Sequence, residues 1–459
     1  MQDHNQNKPP VKARYALLFF VVLAILTVVS FIIPLRPTRS QSEKRNLAEF
    51  PEFSLEAVAS GTYFDEINIW FSDTFPGRES WLSFNTKIKE LYGYSSIAVS
   101  GDALLDEPED IIPDAPTVEV TLPVLETDPP EETQEQVIIE EIAPPTGDVE
   151  EWGGVKMDED AQVSYGSSMI QINDTIFKYC RFSQNGSNRY AQAINVAAAT
   201  LIDKDVRLIN IPIPTSIGIL VENEYLEELH CTPQDQIIEY MFSQMHESVI
   251  KLNIHPILLE HNDEYLYFRT DHHWTARGAY YAYVELCNTL GFEAAPLENF
   301  EEKDMGEFEG SSYWSAPYPS KLEIDRLYAY IPQGDIKMLI CSDGRNGYEW
   351  PLIYDRTNSN RNTKYMAFLS GDHALAIVTN ESLPDAPNCV IVKDSYGNAL
   401  VPFLTQNYHK VYVIDYRMYY VMDLDDFVDQ YDIDDVIIAN NLIAAQSTDA
   451  MDELERVFH

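Results

Sequence analysis

The sequence predicts an open α/β domain with a mostly parallel sheet and flanking helices, set behind an N-terminal transmembrane helix and interrupted by an acidic insertion. Three observations support this. Strand-like and helix-like runs alternate from Tyr165 onward, an uncharged apolar run spans Tyr15 to Pro34, and the stretch from Asp106 to Gly154 contains no lysine or arginine.

The apolar run, YALLFFVVLAILTVVSFIIP, has the length of a membrane span, since about twenty residues at about 1.5 Å each match a hydrocarbon core of about 30 Å. It is long for the apolar part of a signal peptide, and the following LRPTRSQSEKR lacks a small-x-small cleavage site, so an uncleaved anchor is expected. Lys8, Lys12 and Arg14 place residues 1–14 in the cytoplasm and the remainder outside the cell, although Arg36, Arg39, Lys44 and Arg45 reduce the asymmetry. Residues 43–105 then begin the extracellular part. Between Asn46 and Leu91 apolar residues recur near helical spacing, which predicts two or three helices broken at Pro76 and Gly77.

Residues 106–160 change composition abruptly, with many acids and frequent prolines. Such a stretch buries too little apolar surface to offset the entropy of ordering it, so a disordered or extended spacer is expected. From 161 to 459 the chain reads as one domain. VRLINIPIP and HPILLEH are strand-like, and YLYFRT is a short strand. TARGAYYAYVELCNTLGF has helical length, with Thr275 as cap and Gly291 as stop. CVIVKD reads as a strand, NALVPFLTQNY as a helix, KVYVIDYR as a strand, DLDDFVDQY as a helix and DDVIIAN as a final strand. Strands alternating with helices imply parallel pairing through crossovers.

A formal charge of −43, from 74 acids against 31 bases, repels polyanions and excludes nucleic acid as the default partner. The five cysteines are scattered and odd in number, without metal-ligand spacing, and are expected to be buried thiols.

Ligands of open parallel sheets bind at the carboxyl ends of the strands. Asp271 and His273 follow YLYFRT, and Ser395 follows CVIVKD. In extended chain, residues two apart share a face, so Asp271 and His273 point together and His272 points away. Asp271 could fix the tautomer of His273, and His273 could take the Ser395 proton. The N–H groups of Ser395, Tyr396 and Gly397, with the Asn398 side chain, could face an oxyanion. A serine before a helix is also an ordinary N-cap, and KDSYGN is not the GxSxG elbow. A metal is not expected, because adjacent histidines in extended chain diverge and no third ligand is nearby.

DHHWTARGAYYAY, KDSYGNALVPFL and VIDYR, together with EKRNLAEFPEFS and FSDTFPGRESW, closely resemble the DHHW protein family, relatives of the AlgJ and AlgX type of alginate O-acetylation proteins. The resemblance implies an SGNH-hydrolase-like, flavodoxin-like domain in which Asp271, His273 and Ser395 form a triad in that chain order. His272 and Trp274 would support the motif. No GDSL-like block is present, and Gly371, His373 and Arg417 join Gly397 and Asn398 as candidates for oxyanion or substrate contacts, with an Asp415–Arg417 ion pair as the competing role for Arg417.

The resemblance further implies a membrane-anchored extracytoplasmic O-acetyltransferase, working without a cofactor on a cell-surface or exported polysaccharide. Its acyl donor partner would be a membrane-bound O-acyltransferase. A carbohydrate esterase with the same triad, or a non-catalytic glycan-binding or scaffold protein, are the alternatives.

Overall fold

The computed structural model describes residues 161–458 except 167, 342 and 343, together with 154–157 and the single positions 50, 63, 70, 74, 112, 121 and 122. The apolar run at 15–34 lies outside the described residues, as do most of the helices expected between Asn46 and Leu91 and most of the acidic insertion. No helix among the described residues is long and apolar enough to cross a membrane. In the N-terminal unit, residues 1–98, Phe50 meets Trp70 edge to face at 4.7 Å between ring centres.

The second unit, residues 99–459, runs in chain order β1 (Val163–Tyr165), β2 (Met169–Ile172), β3 (Thr175–Lys178), α1 (Gln184–Leu201), β4 (Arg207–Ile213), α2 (Ser216–Leu220), α3 (Asn223–Leu226), α4 (Gln234–Ser243), β5 (Val249–Lys251), α5 (His255–Glu260), α6 (Ala276–Leu290), β6 (Glu301–Phe308) and β7 (Asp325–Ile331). It continues through β8 (Ile336–Cys341), β9 (Tyr348–Trp350), β10 (Leu375–Asn380), β11 (Asn388–Lys393), α7 (Gly397–Leu404), β12 (Lys410–Asp415), α8 (Leu424–Tyr431), β13 (Asp435–Asn441), α9 (Leu442–Ala445) and α10 (Thr448–Phe458).

Eight strands form the main sheet in the order β5-β4-β13-β11-β12-β10-β8-β9. The first five are mutually parallel, while β10, β8 and β9 join antiparallel. The sheet is therefore mixed: the expected parallel part, five strands, is extended beside β12 by three antiparallel strands. β8 and β10 are short, largely apolar runs, IKMLIC and LAIVTN, whose pairing direction periodicity alone does not set. The central β4, β11 and β13 are almost wholly buried, and their near-continuous apolar runs suit strands covered on both faces. One core cluster joins α1, α4, α8 and α10 to one face of the sheet, and a second joins α6 and α7 to the other.

α6 begins at Thr275, whose hydroxyl accepts the Gly278 N–H, and ends at Gly291 with φ +74, the left-handed stop a glycine provides. Both ends agree with the sequence. The strands and helices expected from Cys389 to Asn440 also form. All five cysteines are buried thiols, none in a disulfide.

Two local expectations fail. HPILLEH is the helix α5 rather than a strand: Pro256 stands in its first turn, where a missing N–H costs nothing, and Asn253 Oδ1 accepts the His255 N–H at 3.0 Å. YLYFRT makes only an isolated bridge between Tyr267 and Trp274. Its backbone is satisfied by a side chain instead, since the Asp325 carboxylate accepts the N–H groups of Arg269 and Thr270, each at 2.7 Å. Residues before 161 also touch this core: the Val155 N–H donates to Leu220 O at 2.7 Å, and Ile112, Leu122, Val155 and Met157 pack partly buried on it.

Candidate active site

β11 delivers Ser395 beyond its carboxyl end, and α7 starts two residues later. No side chain caps α7, and the Ser395 hydroxyl points elsewhere, to His273 Nε2 at 2.7 Å. His273 Nδ1 lies 2.5 Å from Asp271 Oδ1, and the His273 N–H donates to the same oxygen at 3.0 Å. The second oxygen, Asp271 Oδ2, accepts the Ser311 N–H at 2.7 Å. Asp271 and His273 are both buried, while Ser395 is only partly so.

Asp271 and His273 meet, but not because the chain is extended. They sit on a bend that follows no regular strand, and the contact is an aspartate accepting the backbone N–H two residues on. On that bend His272 does not diverge: its ring lies 3.9 Å from that of His273, tilted by 37°. One donor atom from each of Asp271, His272 and His273 falls within 4.8 Å of the others, a spacing a cation could use. Both nitrogens of His273 and both oxygens of Asp271 already hold hydrogen-bond partners, however, and His272 Nδ1 pairs with Ser311 Oγ at 3.0 Å.

Burial would raise the Asp271 pKa, but the neighbouring His273 and His272 and the hydrogen bonds from His273 and Ser311 outweigh it and hold the carboxyl well below the usual range. The carboxylate is thus ionised wherever imidazole can act as a base. Burial pushes His272 far down, and His273 beside it adds to the effect, so His272 stays neutral.

Three further groups fix the triad, and the sequence did not single them out. The Tyr365 ring stacks on His273 at 3.9 Å and 13°, while its hydroxyl donates to Ser395 O at 3.0 Å, so it holds His273 and Ser395 together. It lies in a short helical segment, Arg361–Ala367, with no periodicity to mark it. Asp394 accepts the Tyr396 N–H at 2.9 Å and both the N–H and side-chain amide of Asn441 at 2.8 and 2.7 Å. These bonds join the Ser395 turn to the end of β13. Burial nevertheless pushes the Asp394 carboxyl up. Gly310 is the third: a Cβ there would overlap Asp271 Cβ and the Thr270 carbonyl oxygen.

Replacing Gly310 with alanine is therefore expected to displace Asp271 without altering any triad atom. Turnover of an acetyl ester should fall by about 100-fold, as misplacement by about 1 Å can do. A folded variant, checked by its melting transition, with unchanged turnover would contradict this.

The remaining candidates are placed as follows. Trp274 is fully buried, and its Nε1–H donates to Tyr396 O at 2.9 Å. The Tyr396 and Gly397 N–H groups are occupied by Asp394, through Oδ1 and the carbonyl respectively, which removes them as oxyanion donors. The Ser395 N–H has no acceptor among the described residues. Gly397 is needed for a different close approach, because a Cβ would come within 2.7 Å of Lys393 Cβ. Asn398 donates to Asp372 Oδ1 at 2.8 Å. Gly371 (φ +104) donates its N–H to Phe368 O, and His373 Nε2 lies 3.1 Å from Leu369 O.

Arg417 forms the ion pair that was the alternative to substrate contact: it binds Asp415 at 2.6 Å and Asp372 at 2.9 Å, and the buried Lys393 bridges the same two carboxylates at 3.1 Å each. Burial would raise the Asp372 pKa, but Lys393 and Arg417 hold it well below the carboxylate range. This network braces the strand ends beneath Ser395.

A strand-end serine bonded to a histidine, itself bonded to a buried carboxylate, defines an α/β protein with a serine-hydrolase type of triad. The profile of the DHHW protein family matches residues 43–414, and the chain belongs to that family. Among solved structures it is similar to a DHHW family protein from Eubacterium siraeum, at 23% identity over 65% of this chain and 98% of that one, with a TM-score of 0.58. It is also similar to PatB1 from Bacillus cereus, solved with a sulfonyl adduct, at 15% identity over 63% and 100% of the two chains and a TM-score of 0.53. The O-acetyltransferase domain of AlgJ from Pseudomonas putida aligns at 12% identity over 64% and 99%, with a TM-score of 0.33. No curated protein matches the sequence.

Proposed function

We propose that this protein is an SGNH-hydrolase-like O-acyltransferase that moves acetyl groups through acyl-Ser395 onto hydroxyls of a cell-surface or exported polysaccharide. The observation that carries the reading is His273, which reaches Ser395 Oγ through one ring nitrogen and Asp271 through the other.

Ser395 Oγ attacks the donor carbonyl as His273 Nε2 takes its proton. The tetrahedral intermediate collapses, and the departing oxygen of the donor takes that proton from His273. A sugar hydroxyl then gives its proton to His273 and attacks the acyl carbon, and the second tetrahedral intermediate collapses as His273 returns that proton to the departing Ser395 Oγ. The Ser395 N–H, without an acceptor among the described residues, is the backbone donor this reading assigns to the developing oxyanion. In this reading residues 15–34 anchor the domain to the outer face of the cell membrane, beside a membrane-bound O-acyltransferase that passes it the acyl group.

The test is partition of the acyl group. The protein is incubated with a chromogenic acetyl ester and an oligosaccharide in buffer containing EDTA, and acetylated sugar is separated from free acetate. Acetylated sugar that increases with acceptor concentration is the expected result. Acetate alone would mean a carbohydrate esterase, no turnover a binding or scaffold role, and loss of activity on chelation a metal held by the Asp271–His272–His273 cluster.

A further inference from the structure

Lys178 ends β3, opposite Met169 in the ladder with β2. β3 is fastened to the segment before the triad acid, because the Ile176 N–H donates to Arg269 O at 2.9 Å. The ammonium group of Lys178 lies within electrostatic reach of Asp271, Asp394 and His272. Lys178 is half-buried, yet the ammonium group has no hydrogen bond or ion pair among the described residues. The other cations around Ser395 are committed, since Lys393 and Arg417 each bind Asp372 and Asp415. A partly desolvated charge without a partner is costly, and here its cost is offset only at a distance by Asp271 and Asp394.

Resting on the acyltransferase reading above, we propose that Lys178 is a specificity-determining residue that binds an anionic group, carboxylate or phosphate, on the acceptor whose hydroxyl is acylated. Apart from Asp271, the charged group that acts on Lys178 is Asp394. An anion beside the reacting hydroxyl would complete the pairing that the protein leaves open. It would also counter the repulsion an anionic acceptor meets from a chain of net charge −43.

The experiment compares the full chain with Lys178→Gln and Lys178→Arg on two acceptor pairs. One pair is a uronic-acid oligosaccharide and its carboxyl-reduced form; the other is a glycerol-phosphate oligomer and its dephosphorylated polyol. The measured quantity is the ratio of kcat/KM for the anionic member over the neutral one. Wild type should prefer the anionic member of one pair, which identifies the source of the anion. Lys178→Gln should lower that ratio by about tenfold or more, and Lys178→Arg should keep most of it.

An equal loss on both members, with a shifted pH profile, would show that Lys178 only balances Asp271 and Asp394 and would overturn the proposal. So would a wild type without preference. Calorimetric binding of the same four oligomers reads the inference independently of turnover. Lys178-dependent binding without acyl-enzyme would therefore refute the acyltransferase reading while leaving the anion site standing.

Discussion

Replacing Ser395 with alanine is expected to abolish covalent labelling by an acetyl ester and to lower turnover by about 10⁴-fold or more. Intact mass should show an adduct of about 42 Da, one acetyl group, on the wild type and none on the variant. The size of the effect follows from the geometry: the Ser395 hydroxyl is the atom that His273 Nε2 faces at 2.7 Å, and no second hydroxyl or thiol faces that nitrogen among the described residues. His273→Ala should cost a similar factor, because an un-ionised serine is a poor nucleophile without its base. The double variant should lose little more than either single one, since the pair acts as a unit. A Ser395→Ala protein that still labels, or two losses that multiply, would place the chemistry elsewhere.

The chemistry of the site was more legible in the sequence than its architecture was. Local signals that depend on neighbouring residues came through: Thr275 and Gly291 bound their helix, and CVIVKD runs into a helix past Ser395. What sequence could not supply was the long-range pairing. YLYFRT has strand composition, but Asp325, more than fifty residues on, accepts its backbone N–H groups in place of a neighbouring strand. The assumption of extended geometry around DHH therefore gave the right partner for Asp271 by the wrong route, and it misplaced His272.

For Tyr396 and Gly397 the oxyanion expectation failed for the same kind of reason. Glycine and a helix start after a serine suggest open N–H groups, but the carboxylate of Asp394 and its carbonyl occupy those of Tyr396 and Gly397. Tyr365, Gly310 and Ser311 reach the triad from segments with neither periodicity nor motif. Only the fold brings them there.

Asp271→Asn should lower turnover by about 10⁴-fold, and two competing arrangements lead to that result. Asp271 accepts three N–H groups, from His273 twice and from Ser311 once. An asparagine has only one acceptor oxygen. With that oxygen toward His273, the ring keeps its tautomer but loses the negative charge that stabilises the imidazolium, and the Ser311 N–H meets a second donor. With the amide turned over, Ser311 is satisfied, but the NH₂ must donate to His273 Nδ1. The ring proton then moves to Nε2, which offers Ser395 a donor where it needs an acceptor. Either way one N–H loses its acceptor, the partly buried one of Ser311 or the buried one of His273, a loss of about 1–3 kcal/mol in stability. Nitrogen-15 shifts of His273 would tell the two apart, because only the second protonates Nε2.

The pH dependence of that stability loss has a defined sign. The Asp271 pKa is depressed in the folded protein, so its contribution is fully present above the unfolded carboxylate value of about 4 and is lost as pH falls through the lower folded value. The stability gap between wild type and Asp271→Asn, measured by urea unfolding, should therefore be constant near neutrality and shrink in acid. A gap that grew as the pH was lowered would mean that Asp271 is protonated in the folded state, and the triad would lose the charge on which its histidine depends.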